Sequence, residues 1–68
     1  MKLRARNQIR GKIVGVENGQ TTGHARIDIG NGVVIISSIT NEAIGDIALQ
    51  VGEDAVAVIK ASDVMVAK

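Results

Sequence analysis

Cysteine, proline and aromatic residues are all absent from this 68-residue chain, and it has a single histidine, His24. The lack of cysteine excludes disulfides and thiolate metal sites, and it is compatible with a reducing cytoplasm. One histidine excludes a multi-histidine metal site within one chain. No apolar run approaches the length of a transmembrane helix, and the first residues lack the apolar core of a signal peptide. We therefore expect a cytoplasmic protein without a membrane partner.

Aliphatic residues dominate the composition. Hydrophobic residues make up 46% of the chain, and they are mostly isoleucine, valine and alanine. A chain this short forms one domain, residues 1–68, which buries only a modest fraction of its surface. With no disulfide to stabilise it, so much β-branched surface indicates a domain that buries one face internally and another against copies of itself. The sequence therefore predicts a homo-oligomer.

The hydrophobic pattern alternates with a period of two along most of the chain, which is typical of β-strands. Asn18-Gly19 and Gly30-Asn31-Gly32 mark the first two turns. The segment VVIISSIT is nearly continuous in β-branched residues, as expected of a strand covered on both faces. After it, TNEAIGDIAL predicts a helix of about two turns with Thr40 as its N-cap. The predicted strands cover roughly residues 6–16, 22–29, 33–40, 55–61 and 64–67.

The order β-β-β-α-β-β favours a mainly β fold: a small, five-stranded, OB-like barrel with one short helix. Many barrels of this type bind nucleic acids by stacking bases on aromatic side chains. This chain has no aromatic residue, and its formal net charge is only +1. Arg4, Arg6, Arg10 and Lys12 could follow a phosphate backbone, but the stacking half of the mechanism is missing. Weak nucleic-acid binding is a minor alternative, and we expect no nucleic-acid partner.

The potential catalytic groups do not form a recognisable active site. His24 alternates with Arg26 and Asp28 along the predicted second strand, which places it on a solvent-facing side. The carboxylates fall in turns, helix ends and exposed strand faces, with no pair placed for acid–base catalysis. The sequence contains neither a phosphate-binding loop nor a dinucleotide fingerprint. We therefore predict that the protein is not an enzyme.

The first strand carries an unusual density of cationic groups, in the segment LRARNQIRG. One interpretation is a solvated edge whose charges prevent unwanted strand pairing. The other is a binding site that adds cations, hydroxyl groups and small residues from elsewhere in the chain. Such a set suits a compact tetrahedral dianion, because charged donors and neutral donors can surround it together. Its members would be Arg6, Thr40, Lys60 and Ser62, with the small residues Ala5 and Ala61 beside them.

The segments ARNQIRGKIVGVENG, SIT before the helix and AVIKASDVMV near the end resemble the molbindin family, also called molybdenum-pterin-binding or Mop proteins. The resemblance covers essentially the whole chain. Members of this family form five-stranded barrels that share strands between subunits, and free-standing members assemble as a hexamer, a trimer of dimers. They hold molybdate or tungstate between subunits rather than a pterin. The resemblance therefore implies an oxyanion-binding hexamer without an organic cofactor.

Residue by residue, the resemblance implies a site in the dimer interface where Arg6 and Lys60 supply positive charge. Thr40 would donate its hydroxyl from the facing subunit. The remaining contacts would come from two backbone N–H groups and a nearby serine: Ala5, Ala61 and Ser62. No side chain would ligate the metal directly.

Two positions depart from the family pattern. Arg4 stands where the motif usually has serine, and Ala43 stands where a second serine often follows the threonine. Two hydroxyl donors are thereby lost and one guanidinium is gained. Either Arg4 reaches the anion and compensates, or the site is weakened or altered in selectivity. We expect binding to be retained because Arg6, Thr40 and Lys60 are all present.

Family hexamers also carry a second class of anion site near the three-fold axis, built largely from backbone around the first hairpin. The matching residues here are Gly19, Gln20, Thr21 and Thr22. The resemblance thus predicts intracellular storage of molybdate or tungstate at subunit interfaces. The departures at Arg4 and Ala43 leave an alternative, a small self-associating interaction module that does not bind the anion.

Overall fold

The computed structural model describes residues 7–68, so the predicted site residues Arg4, Ala5 and Arg6 lie outside the described part. Its elements, in chain order, are β1 (Asn7–Glu17), β2 (Thr22–Gly30), β3 (Val33–Thr40), α1 (Asn41–Asp46), β4 (Asp54–Ile59) and a 3₁₀ turn (Ala61–Asp63). The bounds predicted for the first four strands agree with these to within two residues. The short helix also begins where it was predicted, directly after Thr40.

The four strands form one antiparallel sheet in the order β3-β2-β1-β4. The N-terminal half of β1 pairs with β4, beginning with Asn7 opposite Ile59. Its C-terminal half pairs with β2, ending with Glu17 opposite His24. Because β1 changes partner along its length, the sheet curls into a half-barrel. The prediction of a mainly β, OB-like fold with one short helix is therefore confirmed in its main features.

The bend of β1 depends on a glycine and a bulge. A Cβ atom on Gly11 would lie 2.6 Å from the carbonyl oxygen of Asp28 and 2.7 Å from Cγ2 of Ile27. A β-bulge between Ile13 and Gly15 then shifts the register against β2. Bulges increase local twist and bend the strand that carries them. β1 is therefore a long strand that bends between its two pairing partners.

The inside of the curl holds the hydrophobic core. Ile13, Ile27 and Ala57 are buried, with 1%, 6% and 5% of their surface exposed. Half-buried aliphatic residues complete this cluster: Ile9, Val16, Ile29, Ile35, Leu49 and Ala55. The core is small and almost entirely aliphatic, as the composition predicts.

The helix packs against β2 and β3 through one buried side chain, Ile44. Ile44 lies over Gly23, where an added Cβ would be 2.7 Å from Cδ1 of Ile44 and 2.2 Å from the carbonyl oxygen of Glu17. This contact fixes the start of α1 beside the C-terminal end of β1. Thr40, the residue before the helix, is thereby placed at that end of the sheet.

Two expectations were wrong for the single chain. The fifth strand predicted over residues 64–67 is not formed, and Met65 and Val66 there are each 93% exposed. A strand requires a neighbouring edge to satisfy its backbone groups, and this segment pairs with no strand of residues 7–68. Strand β3 was expected to be covered on both faces, but Val34 and Ile36 on its outer face are 45% and 65% exposed. Both differences lie on surfaces that no other segment of residues 7–68 covers.

Candidate anion-binding site

The end of β4 places three of the predicted site residues side by side. Lys60 follows the last residue of the strand in an extended conformation, and Ala61 and Ser62 begin the 3₁₀ turn. The turn is closed by hydrogen bonds from the N–H of Asp63 to the carbonyl oxygen of Lys60, at 2.9 Å, and from Val64 to Ala61, at 3.3 Å. This geometry leaves the N–H groups of Ala61 and Ser62 without an acceptor among residues 7–68. One cation, one hydroxyl and two backbone donors are therefore grouped at this strand end.

Asn7 fixes this group to the beginning of β1. Its backbone pairs with Ile59, and its side-chain Nδ2 donates to the carbonyl oxygen of Ile59 at 3.2 Å. The predicted residues Ala5 and Arg6 immediately precede Asn7 in the sequence. Asn7 was not among the predicted site residues, because its bond to Ile59 joins residues 52 positions apart. No local pattern could have revealed that contact.

The side chain of Lys60 is exposed and makes no ion pair within the described range, residues 7–68. Lys12 differs from it, because its Nζ lies 3.7 Å from Oδ1 of Asp54, and its backbone also pairs with Asp28. A cation held among carboxylates is poorly suited to an anion, whereas an unneutralised cation is well suited. Of these two lysines, Lys60 is therefore better suited to donate hydrogen bonds to a bound anion.

An open depression of about 730 Å³ lies on the outer face of the sheet near Lys12. Charged residues of both signs line it, together with exposed valines. The residues that define its chemistry are Arg10, Lys12, Val14, Asp28, Asp54 and Val56. The two carboxylates disfavour a dianion here, and they also interrupt the cationic path that a nucleic-acid backbone would need. The depression does not belong to the predicted site.

Thr40 caps α1 at the other end of the molecule. Its Oγ1 accepts a hydrogen bond from the backbone N–H of Ala43 at 3.1 Å, as the N-cap prediction requires. A hydroxyl group has two acceptor lone pairs and one proton, so capping leaves the proton available. Thr40 is exposed to solvent and can therefore still donate to an external acceptor.

Thr40 and the Lys60 group lie at opposite ends of β1. Thr40 pairs with Thr22, which lies beyond the C-terminal end of β1, whereas Ile59 pairs with Asn7 at its N-terminal end. Thr40 ends β3 and Lys60 follows β4, and these are the two outermost strands of the sheet. The structure thus brings Lys60 together with Ala61 and Ser62 but does not bring Thr40 to them. A site that uses both Thr40 and Lys60 requires two chains.

The predicted second site lies in the β1–β2 loop, residues 18–21, and at the first residue of β2. The N–H of Gly19 donates to Oδ1 of Asn41 at 3.2 Å, so this donor already has an acceptor. Gln20, Thr21 and Thr22 are exposed. Of the four residues predicted for this site, Gly19 therefore already donates its N–H within the chain, to Asn41, a residue that was not predicted to contact it.

Residues 7–68 contain no group of three histidine, aspartate or glutamate side chains able to hold a metal ion. Within the same range, no helix is long and apolar enough to span a membrane.

Comparison with known proteins gives matches over nearly the full chain. The profile of the TOBE domain matches residues 4–66. A probable molybdenum-pterin-binding protein of Haemophilus influenzae is 47% identical over 66 residues, which are 97% of this chain and 96% of that protein. The profile and the relative therefore both match nearly all of the residues of this chain.

Two solved structures match the fold closely. A molybdate-binding protein from Sporomusa ovata superposes with a TM-score of 0.92 at 25% identity, covering 100% of both chains. The cytoplasmic molybdate-binding protein ModG, solved with molybdate bound, gives a TM-score of 0.88 at 35% identity. That match covers 96% of this chain and 46% of ModG. Both neighbours are described as molybdate-binding proteins.

Proposed function

Because the chain belongs to the TOBE-domain family, and within it to the molybdenum-pterin-binding (Mop) proteins, we propose that it binds molybdate or tungstate between subunits of a homo-oligomer. The observation that carries this proposal is the full-length match to a molybdate-binding protein, at a TM-score of 0.92, together with 47% identity to a molybdenum-pterin-binding relative. The bound oxyanion is the ligand, and the proposal includes no organic cofactor. Binding is passive, with release as the free anion concentration falls.

The proposed interface site combines a cationic group from one chain with a hydroxyl from another. Lys60 supplies an exposed, unpaired positive charge among residues 7–68, and Thr40 supplies a hydroxyl proton that its capping bond does not use. Their separation along β1 supports a site shared between two chains. The remaining proposed contacts are Arg4, Ala5, Arg6, Ala61 and Ser62.

Exposed aliphatic surface supports the proposed assembly. Val34 and Ile36 on β3 and Val56 and Val58 on β4 are each 45% exposed or more. These side chains lie on the two edge strands of the sheet, and exposed apolar patches on a small domain are typical of protein–protein interfaces. We propose a hexamer, arranged as a trimer of dimers, in which copies of the chain cover these strands and the segment 64–68. In this assembly the protein stores molybdenum in the cytoplasm, the compartment named for ModG.

Native mass spectrometry tests this proposal directly. The protein is measured alone, with sodium molybdate, and with molybdate in the presence of excess sulfate. A hexamer that gains molybdate and retains it against sulfate supports the proposal. An assembly that stays empty contradicts it and favours the interaction module.

A matched pair of variants locates the site. Lys60→Ala removes the exposed cation of the proposed site, whereas Lys12→Ala removes the same charge from the outer depression. We expect the first to lose anion with the assembly intact, and the second to bind as the wild type does. Loss of assembly in Lys60→Ala, without a change in anion uptake, would indicate a structural role for this lysine instead.

A further inference from the structure

Asn41 joins the start of α1 to the β1–β2 loop through three hydrogen bonds. Its side-chain amide pairs with the backbone of Gly19 in both directions: Nδ2 donates to the carbonyl oxygen at 2.8 Å, and Oδ1 accepts from the N–H at 3.2 Å. The backbone N–H of Asn41 also donates to the carbonyl oxygen of Thr21 at 2.9 Å. At the end of the β-ladder, the side-chain amide of Asn41 thus forms the pair of hydrogen bonds, one donated and one accepted, that a backbone peptide group forms within the ladder.

These bonds close a ring of contacts around Thr40. The loop continues into Thr22, which pairs with Thr40 in the β2–β3 ladder, and Thr40 is covalently joined to Asn41. The hydroxyl of Thr40 is oriented by the N–H of Ala43 at 3.1 Å. The backbone of Thr40 is therefore held by the ladder on one side and by the Asn41 bonds on the other.

Resting on the proposed function, we propose that Asn41 is a positioning residue for oxyanion binding. Its amide locks the β1–β2 loop to Thr40 and so sets the direction in which the Thr40 hydroxyl faces a second chain. The same bonds occupy the N–H of Gly19, so the loop cannot offer that donor to an anion while Asn41 holds it. Asn41 thereby links the two regions that the resemblance assigns to separate anion sites.

The contact requires a side-chain amide at the distance from the backbone that asparagine provides. The side chain must donate to a carbonyl oxygen and accept from an N–H of the same residue, Gly19. An aspartate in its charged form offers only acceptors and would repel the carbonyl oxygen, and a lysine offers only donors. Glutamine carries the same amide group but displaces it by one methylene. Asn41→Gln therefore keeps the chemistry and changes its position.

The first test measures the affinity for sodium molybdate by isothermal titration calorimetry, at a temperature where circular dichroism shows that every variant is folded. We expect Asn41→Ala to bind about tenfold more weakly, equivalent to the loss of about one well-placed hydrogen bond. Asn41→Gln is expected to show a similar loss, and it supplies the same test if the alanine variant does not fold. The matched control is Asn18→Ala, because Asn18 is exposed in the same loop and its side chain makes no hydrogen bond within residues 7–68.

A double-mutant cycle decides whether Asn41 acts through Thr40. In a Thr40→Val background, adding Asn41→Ala should weaken binding less than twofold, because the group that Asn41 positions is already absent. Additive losses would overturn the proposal, since they would show that Asn41 contributes independently of Thr40. A residue that only stabilises the fold would lower the unfolding temperature and leave the affinity of the folded protein unchanged, and that outcome would also overturn it.

The proposed function and this inference fail in distinguishable ways. A wild-type protein that takes up no molybdate contradicts both. A wild type that binds, with an Asn41→Ala variant that binds equally well, overturns the role of Asn41 alone.

Discussion

Thr40 and Ala43 share one hydrogen bond, donated by the backbone N–H of Ala43 to Oγ1 of Thr40 at 3.1 Å. This bond satisfies one of the N–H groups that the first turn of a helix leaves without a partner. It uses the oxygen of the hydroxyl and leaves its proton free. The helix cap and the proposed anion donor are therefore the same side chain, and suitable substitutions can separate the two roles.

Thr40→Asp should preserve the cap and abolish the donor. Aspartate is as good an N-cap as threonine, so we expect the free energy of unfolding to change by less than about 0.5 kcal/mol. Its carboxylate has no proton to donate and repels a dianion, so molybdate affinity should fall at least about tenfold. Urea unfolding without ligand and calorimetric titration with molybdate measure the two effects separately.

Thr40→Ser and Thr40→Val serve as the reference variants for this experiment. Serine keeps both roles and should resemble the wild type in stability and in binding. Valine keeps the shape of threonine but can neither cap the helix nor donate to the anion. The free energy of unfolding should therefore fall by about 1 kcal/mol, and molybdate binding should weaken. Undiminished molybdate binding in Thr40→Asp would exclude the Thr40 hydroxyl as a donor.

Ala43→Ser should strengthen the interface site. Ala43 stands in the first turn of α1, one turn from Thr40, at the position where the family pattern often has serine. An added hydroxyl there offers one more neutral donor, and a typical hydrogen bond contributes about 1 kcal/mol, or about fivefold in affinity. Competition titrations of the variant and the wild type with molybdate measure the gain. The same substitution at exposed Ala67 is the control, and equal affinities in all three proteins would argue against a hydroxyl site at position 43.

The sequence was sufficient to predict the parts of the fold that depend on neighbouring residues. Strand β2 shows the predicted alternation, with Ala25 and Ile27 buried and His24 and Arg26 exposed. The cap at Thr40 was also predictable, because a threonine before a helical segment has a local physical reason to cap it. Local periodicity and capping therefore located most elements correctly.

Contacts between distant residues could not be predicted in this way. The bonds between Asn41 and Gly19 join residues 22 positions apart and follow from the curl of the sheet rather than from any motif. The expected cover on Ile36 and the expected strand over residues 64–67 both depend on surface that residues 7–68 do not supply. Apolar periodicity shows that a surface is to be buried, but it does not show whether the partner belongs to the same chain.

Substitution by alanine should have opposite effects on stability at Gly23 and at Gly45. A Cβ on Gly23 would lie 2.2 Å from the carbonyl oxygen of Glu17 and 2.7 Å from Cδ1 of Ile44, so Gly23→Ala should destabilise the fold by at least about 1–3 kcal/mol. A Cβ on Gly45 would meet no atom within 4 Å, and alanine favours helix, so Gly45→Ala should stabilise by about 0.5–1 kcal/mol. Urea unfolding at fixed protein concentration measures both. Equal effects would show that the packing of Ile44 over Gly23 is not as described.

Replacing Ala48 with glycine should stabilise the fold. It follows the helix with φ at +50°, a left-handed conformation that costs an alanine energy and a glycine almost none. Ala48→Gly should therefore raise the free energy of unfolding by about 0.5–1 kcal/mol, despite the greater flexibility of glycine in the unfolded chain. Ala67→Gly is the control, because position 67 is exposed and does not have a positive φ, and it should be neutral or slightly destabilising. A loss of stability in Ala48→Gly as large as that in the control would contradict the left-handed conformation at position 48.

Molybdate should stabilise the folded assembly, and Lys60 should determine by how much. A ligand that binds only the folded state adds RT ln(1 + [L]/Kd), or about 2.7 kcal/mol at a concentration one hundred times Kd. For a domain of this size, each kcal/mol raises the unfolding temperature by roughly 4–8 °C. Thermal scans over a series of molybdate concentrations should therefore show a rising transition in the wild type and a much smaller rise in Lys60→Ala.

The ligand-free proteins provide the complementary half of this prediction. If Lys60 lies near other cations at an interface, removing its charge relieves repulsion, so ligand-free Lys60→Ala should be at least as stable as the wild type. Lys12→Ala loses an ion pair between side chains that are 59% and 91% exposed, and such pairs contribute about 0–1 kcal/mol, so its response to molybdate should match the wild type. A ligand-free Lys60→Ala protein that unfolds at a lower temperature, and yet responds fully to molybdate, would mean that this lysine supports the fold and not the anion.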